Sequence, residues 1–143
     1  MSTTPTRQYQ DTKVDVKLVL CALWIAMLFV FAYVDIFGFY RADVLDAALD
    51  GKVATTEFPV NQTFLTFTLI YILPPTLMVV LSLILKPRVN RIVNIVVSLL
   101  YMITIVVSVI GEEWAYYILG SAIEVMILIT IARSAWNWPP PAP

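Results

Sequence analysis

The sequence predicts an all-α protein: a transmembrane four-helix bundle, antiparallel, with both termini cytoplasmic. Three observations predict it. First, apolar residues make up 60% of 143 and charged residues 13%, with a mean hydropathy of +0.85. A soluble domain carries roughly 45–50% apolar residues, and one of this size leaves roughly 30% of its unfolded surface exposed. Lipid is therefore the solvent for much of the chain, which excludes a soluble enzyme, a nucleic-acid binder and a disordered regulator. Second, four runs approach the roughly 20 residues that a helix needs to cross hydrocarbon. Leu18–Val34 has 17 uncharged residues, Phe58–Leu85 has 28, Ile92–Gly111 has 20, and Trp114–Ala132 has 19 broken only by Glu124. Third, seven of the nine basic residues fall in the N-terminal tail, the turn between spans two and three, and the C-terminal end. The positive-inside rule then places both tails in the cytoplasm.

The chain reads as a single four-span domain over 1–143, with spans near 16–37, 63–85, 91–111 and 113–132. The first span is short, but Lys17 lengthens it by snorkelling. Charges on both sides of neutrality precede it (Arg7, Asp11, Lys13, Asp15 and Lys17), and no small-residue cleavage site follows. It is expected to remain as an uncleaved span. An external loop over 38–62 follows, in which the apolar spacing of Val44, Leu45, Ala48 and Leu49 predicts a short amphipathic surface helix over Ala42–Leu49. Asn61-Gln-Thr reads as a chance glycosylation sequon beside the membrane.

Span two starts near Thr63 or Phe64. Its adjacent Pro74 and Pro75 remove two backbone donors, so a kink or break is expected and the carbonyls near Ile70 and Tyr71 need partners. The basic turn that follows places Lys86, Arg88 and Arg91 against anionic headgroups, and Asn90 is a candidate N-cap for span three. Short connections make spans two, three and four antiparallel neighbours. Tyr40, Trp114, Tyr116 and Tyr117 mark one interface and Trp136 and Trp138 the other. The tail over 136–143, rich in proline, reads as frayed or polyproline II.

Glu124 is the most costly residue. It lies about 15 Å along the helix from Trp114, near mid-depth. A charge there costs on the order of 3 kcal/mol, and keeping the carboxyl protonated at neutral pH costs about 3.7 kcal/mol. These are too close to choose between, but either way Glu124 faces protein or water and not lipid. Gly120, Ser121, Tyr117 and Glu113 share its face. Span three carries a polar stripe of Asn94, Ser98, Tyr101, Ser108 and Glu112. Span two offers Thr68, Tyr71, Pro75, Met78 and Ser82. Stripes that converge place Tyr101, Ser98, Tyr71 and Ser121 around Glu124, as a proton or cation site or as interhelical hydrogen-bonding glue. Asp35 pairs with Arg41, caps the end of the outer loop, or joins Glu112 and Glu113 in an acidic mouth on the outer face.

The segments Val14-Asp-Val-Lys leading to Leu23-Trp24, Tyr33-Val-Asp-Ile-Phe-Gly-Phe-Tyr40, Leu81-Ser-Leu-Ile-Leu-Lys-Pro-Arg-Val-Asn-Arg91, Asn94-Ile, Trp114-Ala-Tyr-Tyr, Glu124 and Ala135-Trp-Asn-Trp-Pro139 resemble DUF6326, a family of small four-span bacterial proteins of unknown function. The resemblance covers nearly all of the chain beyond the first dozen residues. It implies a multi-pass bacterial inner-membrane protein, carries over no activity, and adds weight to Asp35, Asn90, Arg91, Asn94 and Glu124.

Absences narrow the chemistry. There is no histidine, so haem ligation, His-based zinc and His acid–base catalysis are excluded. The lone Cys21 forms no internal disulfide and reads as a small buried hydrophobe. No cofactor and no metal are expected. The leading reading is a small-solute, proton or cation transport or channel-type protein using Glu124. The alternative is a non-catalytic accessory or scaffold subunit of another membrane protein. A membrane enzyme built on carboxylates and tyrosines, with a metal at Asp35, Glu112 and Glu113, is a distant third. The expected partners are the bilayer and further copies or a larger membrane complex, and not nucleic acid.

Overall fold

The computed structural model describes residues 13–54, 56 and 58–138. The expectations for Arg7, Asp11 and the proline tail over 139–143 lie outside the described residues. The fold is all-helical: α1 Val16–Gly38, α2 Ala42–Leu49, α3 Gln62–Ile84, α4 Pro87–Ser108 and α5 Ala115–Trp136. No strand occurs among the described residues. All but α2 are long and apolar enough to cross a membrane.

The helices begin where the local chemistry allows. The Asp15 carboxylate accepts from the Lys17 backbone N–H at 2.8 Å and starts α1. The Asn61 side chain accepts from the Phe64 N–H at 2.9 Å and starts α3, so the asparagine of the apparent sequon is a helix cap. Helix α4 starts earlier than expected. Pro87 occupies its first turn, where a missing N–H costs nothing and a fixed φ favours entering the helix, and Lys86 is the N-cap. Asn90 is thus not a cap. It lies inside α4, fully buried, and the connection from α3 shrinks to two residues.

Packing inverts the polarity of a soluble protein. Large apolar side chains such as Phe29, Leu69, Ile103 and Met126 face outward. The buried face of α4 is Asn90, Asn94, Ser98, Tyr101 and Ile105. Its two asparagines form a network with Trp24 and Ser82. Asn94 Oδ1 accepts from Trp24 Nε1 at 2.7 Å and from Ser82 Oγ at 3.3 Å. Its Nδ2 donates to the backbone oxygen and side-chain oxygen of Asn90, at 2.9 and 2.6 Å. Asn90 Nδ2 donates to Ser82 O at 2.6 Å, and Lys17 Nζ donates to Leu83 O at 3.0 Å. The last two bonds satisfy carbonyls that the end of α3 leaves without helical partners.

The order of packing differs from the expectation drawn from short connections. Helix α1 packs on both α3 and α5, and α5 packs on α4, whereas the backbones of α3 and α4 approach only sparsely. A short turn fixes where two helices meet, not how far they stay together. Trp24 of α1 and the tilted Tyr71 and Tyr101 rings, with centroids 5.0 Å apart, span the gap.

Helix α3 runs through Pro74 and Pro75 as one helix, so of the kink or break expected there, no break occurs. Pro75 leaves the carbonyl of Tyr71, four residues earlier, without its helical donor. The Tyr101 hydroxyl donates to that carbonyl from α4.

Helices α1 and α5 pack tightly at Gly120, where an added Cβ would lie 2.3 Å from Val34 Cγ2. A β-branched valine in a helix has little rotamer freedom with which to yield. Gly120→Ala is expected to destabilise the fold by about 1–3 kcal/mol, measured by reversible unfolding in mixed micelles. Val34→Ala in the same chain should recover much of that loss, so additive effects of the two substitutions would refute the contact.

Candidate functional site

A cleft of about 340 Å³ opens between the four long helices, lined by residues of every one of them. Helix α1 contributes Phe31, Val34 and Asp35, and α3 contributes Tyr71. Helix α4 contributes Thr104, Ile105 and Ser108, while α5 contributes Tyr117, Ser121 and Glu124. Glu124 is 3% exposed. Its Oε1 is buried and has no hydrogen-bond partner among the described residues. In a structure where the buried asparagines are fully paired, this is the exception. A carboxyl oxygen without a partner in an apolar interior costs several kcal/mol if charged. Asp35 sits at the rim and is exposed.

Two hydroxyl pairs flank the cleft, each ending on a backbone carbonyl. Tyr71 Oη and Thr104 Oγ1 are 2.6 Å apart, and Thr104 Oγ1 donates to Tyr101 O at 2.9 Å. Tyr117 Oη donates to Ser108 Oγ at 3.3 Å, and Ser108 Oγ donates to Ile105 O at 2.8 Å. Phe31 and Tyr71 rings, with centroids 6.2 Å apart, form one wall.

The structure thus brings Glu124, Tyr71 and Ser121 to one cavity and sets the Tyr101 ring against Tyr71 at a tilt. Ser98 is elsewhere: it is buried further along α4 and donates to Ile95 O at 3.0 Å. Thr104, Phe31 and Asp35 were not foreseen here. Thr104 had a signal, since it lies three residues after Tyr101 and four before Ser108, on the same helical face. Asp35 and Phe31 had none, because their meeting with α5 is a matter of helix packing.

Asp35 neither pairs with Arg41 nor joins the acids of the α4–α5 turn. Arg41, 8% exposed, binds Asp43 at 2.6 Å and Glu112 at 3.1 Å and lies 4.6 Å from the Trp114 ring centroid. Glu112 Oε1 also accepts the backbone N–H groups of Glu113 and Trp114 at 3.0 and 3.1 Å. These groups and Glu113 line a separate cleft of about 410 Å³. The expected acidic mouth is therefore a cation-centred clamp, because the guanidinium neutralises the carboxylates that it reaches. Among the described residues no three Cys, Asp or Glu side chains form a group able to hold a metal, so Asp35, Glu112 and Glu113 form no such site. At the opposite end Lys86 and Arg88 are exposed, and the Arg91 guanidinium lies 5.3 Å from the Trp136 ring centroid.

The clamp shifts its own titrations. The hydrogen bond from Arg41 holds Asp43 below the usual carboxylate range. Burial pushes Glu112 up, but the Trp114 N–H and Arg41 outweigh it and leave Glu112 lowered. Hydrogen bonding to Asp43 raises Arg41 further above neutrality.

The chain belongs to the family of unknown function DUF6326, whose model matches residues 9–140, as the resemblance in sequence implied. No curated protein and no solved structure matches it.

Tyr101→Phe is expected to cost about 1–3 kcal/mol, because it strands the buried Tyr71 carbonyl. In a Pro75→Ala chain, which restores the backbone donor, the same substitution should cost far less. Equal costs in both chains would refute the assignment. The clamp predicts a pH dependence of definite sign. Both folded carboxylates are lowered, so their contribution is complete above the unfolded values and is lost as pH falls through the folded ones. The stability difference between the native chain and Arg41→Gln should be flat from neutral pH to roughly pH 5 and shrink below roughly pH 4. A difference that grows in acid would contradict the clamp.

Proposed function

We propose that this is a multi-pass membrane protein that exchanges protons or small cations at Glu124, as a transport or channel-type protein. The observation that carries the reading is the buried, unpartnered Glu124 Oε1 in a cleft lined by hydroxyls and opening past Asp35. Ionisable groups held within spanning helices are costly and are retained at ion and proton paths. Asp35 at the rim supplies negative potential that concentrates cations at the opening. Glu124 alternates between a protonated form and a cation-paired carboxylate.

Orientation belongs to the same proposal. Lys13, Lys17, Lys86, Arg88, Arg91 and Arg133 face the cytoplasm, where the basic turn meets anionic headgroups, and the Arg41 clamp faces outward. Both termini are then cytoplasmic and the four spans alternate in direction. We place the protein in a bacterial inner membrane and assign it a homo-oligomeric state. Four short helices enclose little volume, and a continuous path across the bilayer needs a second copy. Glu124 as simple interhelical glue is less well supported, since its Oε1 makes no hydrogen bond to any neighbouring helix.

Proteoliposomes loaded with a pH-sensitive dye test the reading. An imposed pH gradient is expected to dissipate faster with the native protein than in empty vesicles. Glu124→Gln should slow that flux by at least about tenfold, equivalent to ~1.4 kcal/mol, while still inserting. Flux indistinguishable from empty vesicles, or unchanged by Glu124→Gln, would overturn it.

A further inference from the structure

The hydrogen-bond directions around the cleft specify what kind of guest it accepts. A hydroxyl has one proton to donate and two lone pairs. The Thr104 proton goes to Tyr101 O, so in the Tyr71–Thr104 contact the Tyr71 hydroxyl is the donor. The Tyr117 proton goes to Ser108 Oγ, and that of Ser108 to Ile105 O. Four of the five hydroxyl residues in the lining have therefore already committed their protons inside the protein. What they have left for a guest is lone pairs. Glu124 and Asp35 add carboxyl oxygens, and no Lys, Arg, Asn, Gln or Trp lines the cleft. The site is rich in acceptors and poor in donors.

Such a site repels anions and gives little to a neutral solute that needs donors. It suits a cation that brings its own N–H groups, because hydrogen bonds involving a charged partner are the stronger class. Size and apolar character narrow the class further. A volume of about 340 Å³ greatly exceeds the roughly 30 Å³ share of one water and falls at the lower end of small-molecule pockets. Phe31, Tyr71 and Tyr117 bring aromatic rings, whose faces attract organic cations, and Val34 and Ile105 offer surface to an alkyl group.

We infer that the cleft binds a small primary alkylammonium ion, its N–H groups donating to Glu124 and to the free lone pairs of Tyr71 and Tyr117, and its alkyl part lying against Phe31, Val34 and Ile105. The inference rests on the exchange reading above. Binding is balanced in charge: the alkylammonium enters as R–NH₃⁺, the Glu124 carboxyl gives up one proton to solvent, and the ion pair remains. The titratable groups that face Glu124 or its immediate neighbours are Asp35 of α1, Tyr71 of α3, Tyr101 of α4 and Tyr117 of α5. Asp35 is the other carboxyl among them, and its oxygens favour the same cation.

The test is calorimetric titration of the full chain in detergent micelles with methylammonium, tetramethylammonium and sodium chlorides. It is repeated in buffers of different ionisation enthalpy so that proton release is read directly. Methylammonium is expected to saturate and to release up to one proton per ion bound, with weaker apparent affinity in acid. Tetramethylammonium has the same charge and no N–H, and should bind at least about tenfold more weakly, the scale of one hydrogen bond to a charged group. Sodium, which uses neither the aromatic wall nor the alkyl surface, should also bind at least about tenfold more weakly. Glu124→Gln should lose proton release and at least about tenfold in affinity. Tyr117→Phe, which keeps the ring, should weaken methylammonium severalfold and leave tetramethylammonium unchanged. The comparison of the three cations on the native chain stands even if a variant does not fold. Equal binding of methylammonium and tetramethylammonium, or a preference for sodium, overturns the inference. If none of the cations binds while infrared difference spectra show the Glu124 carboxyl band responding to pH, the inference falls and the proton-exchange reading survives. If that band does not respond either, both fall.

Discussion

The structure depends on one constraint: polar groups withdrawn from water must find partners within the protein. An outward surface of leucine, isoleucine, valine and phenylalanine offers none. The helices therefore turn their few polar side chains toward each other. The Asn94 amide is the focus. It joins α4 to Trp24 of α1, Ser82 of α3 and Asn90 one turn earlier. Asn90 and Lys17 then occupy the carbonyls at the end of α3. Lining these contacts with aliphatic residues would preserve shape but leave helix-end carbonyls stranded, at a cost comparable to that of a lost hydrogen bond for each.

The same constraint explains the proline pair. Two prolines inside a spanning helix withdraw two donors, and the structure supplies a replacement for one acceptor from a neighbouring helix. Tyr101 is thus tied to the geometry of α3 rather than to the cleft, although its ring packs against Tyr71, which lines it. Structural and candidate functional groups meet at this pair. A shift of α3 relative to α4 would break the Tyr101 bond and move the Tyr71 hydroxyl at the same time.

Against this background Glu124 stands apart. At one end of the helices Arg41 gathers Asp43, Glu112 and Trp114 into a clamp that joins the start of α2 to the α4–α5 turn. At the other end the asparagine network does the equivalent work. Between them lies the one buried carboxyl oxygen without a partner among the described residues. A purely structural interior would have paired it, as it paired Asn90 and Asn94. Leaving it open makes sense where a proton or a cation completes the coordination in turn.

Much of this was legible in the sequence. Charge-free runs located the four long apolar helices, because helix length and hydrocarbon thickness are matched quantities. The period of Asn94, Ser98 and Tyr101 marked an inward face, since side chains three or four residues apart share one side of a helix. Glu124 marked itself by its cost. The tertiary structure alone decided who meets whom. Arg41 had several acids within reach along the chain, and only packing selected Glu112 and left Asp35 to the cleft. Asn90 read as a cap because local rules see it near a helix start, but Pro87 moved that start and the core claimed the amide. The physical reason is the same each time. Solvent preference and helical period are properties of short stretches, whereas a hydrogen bond between residues 70 apart is set by which helices touch, and no single stretch of sequence contains that information.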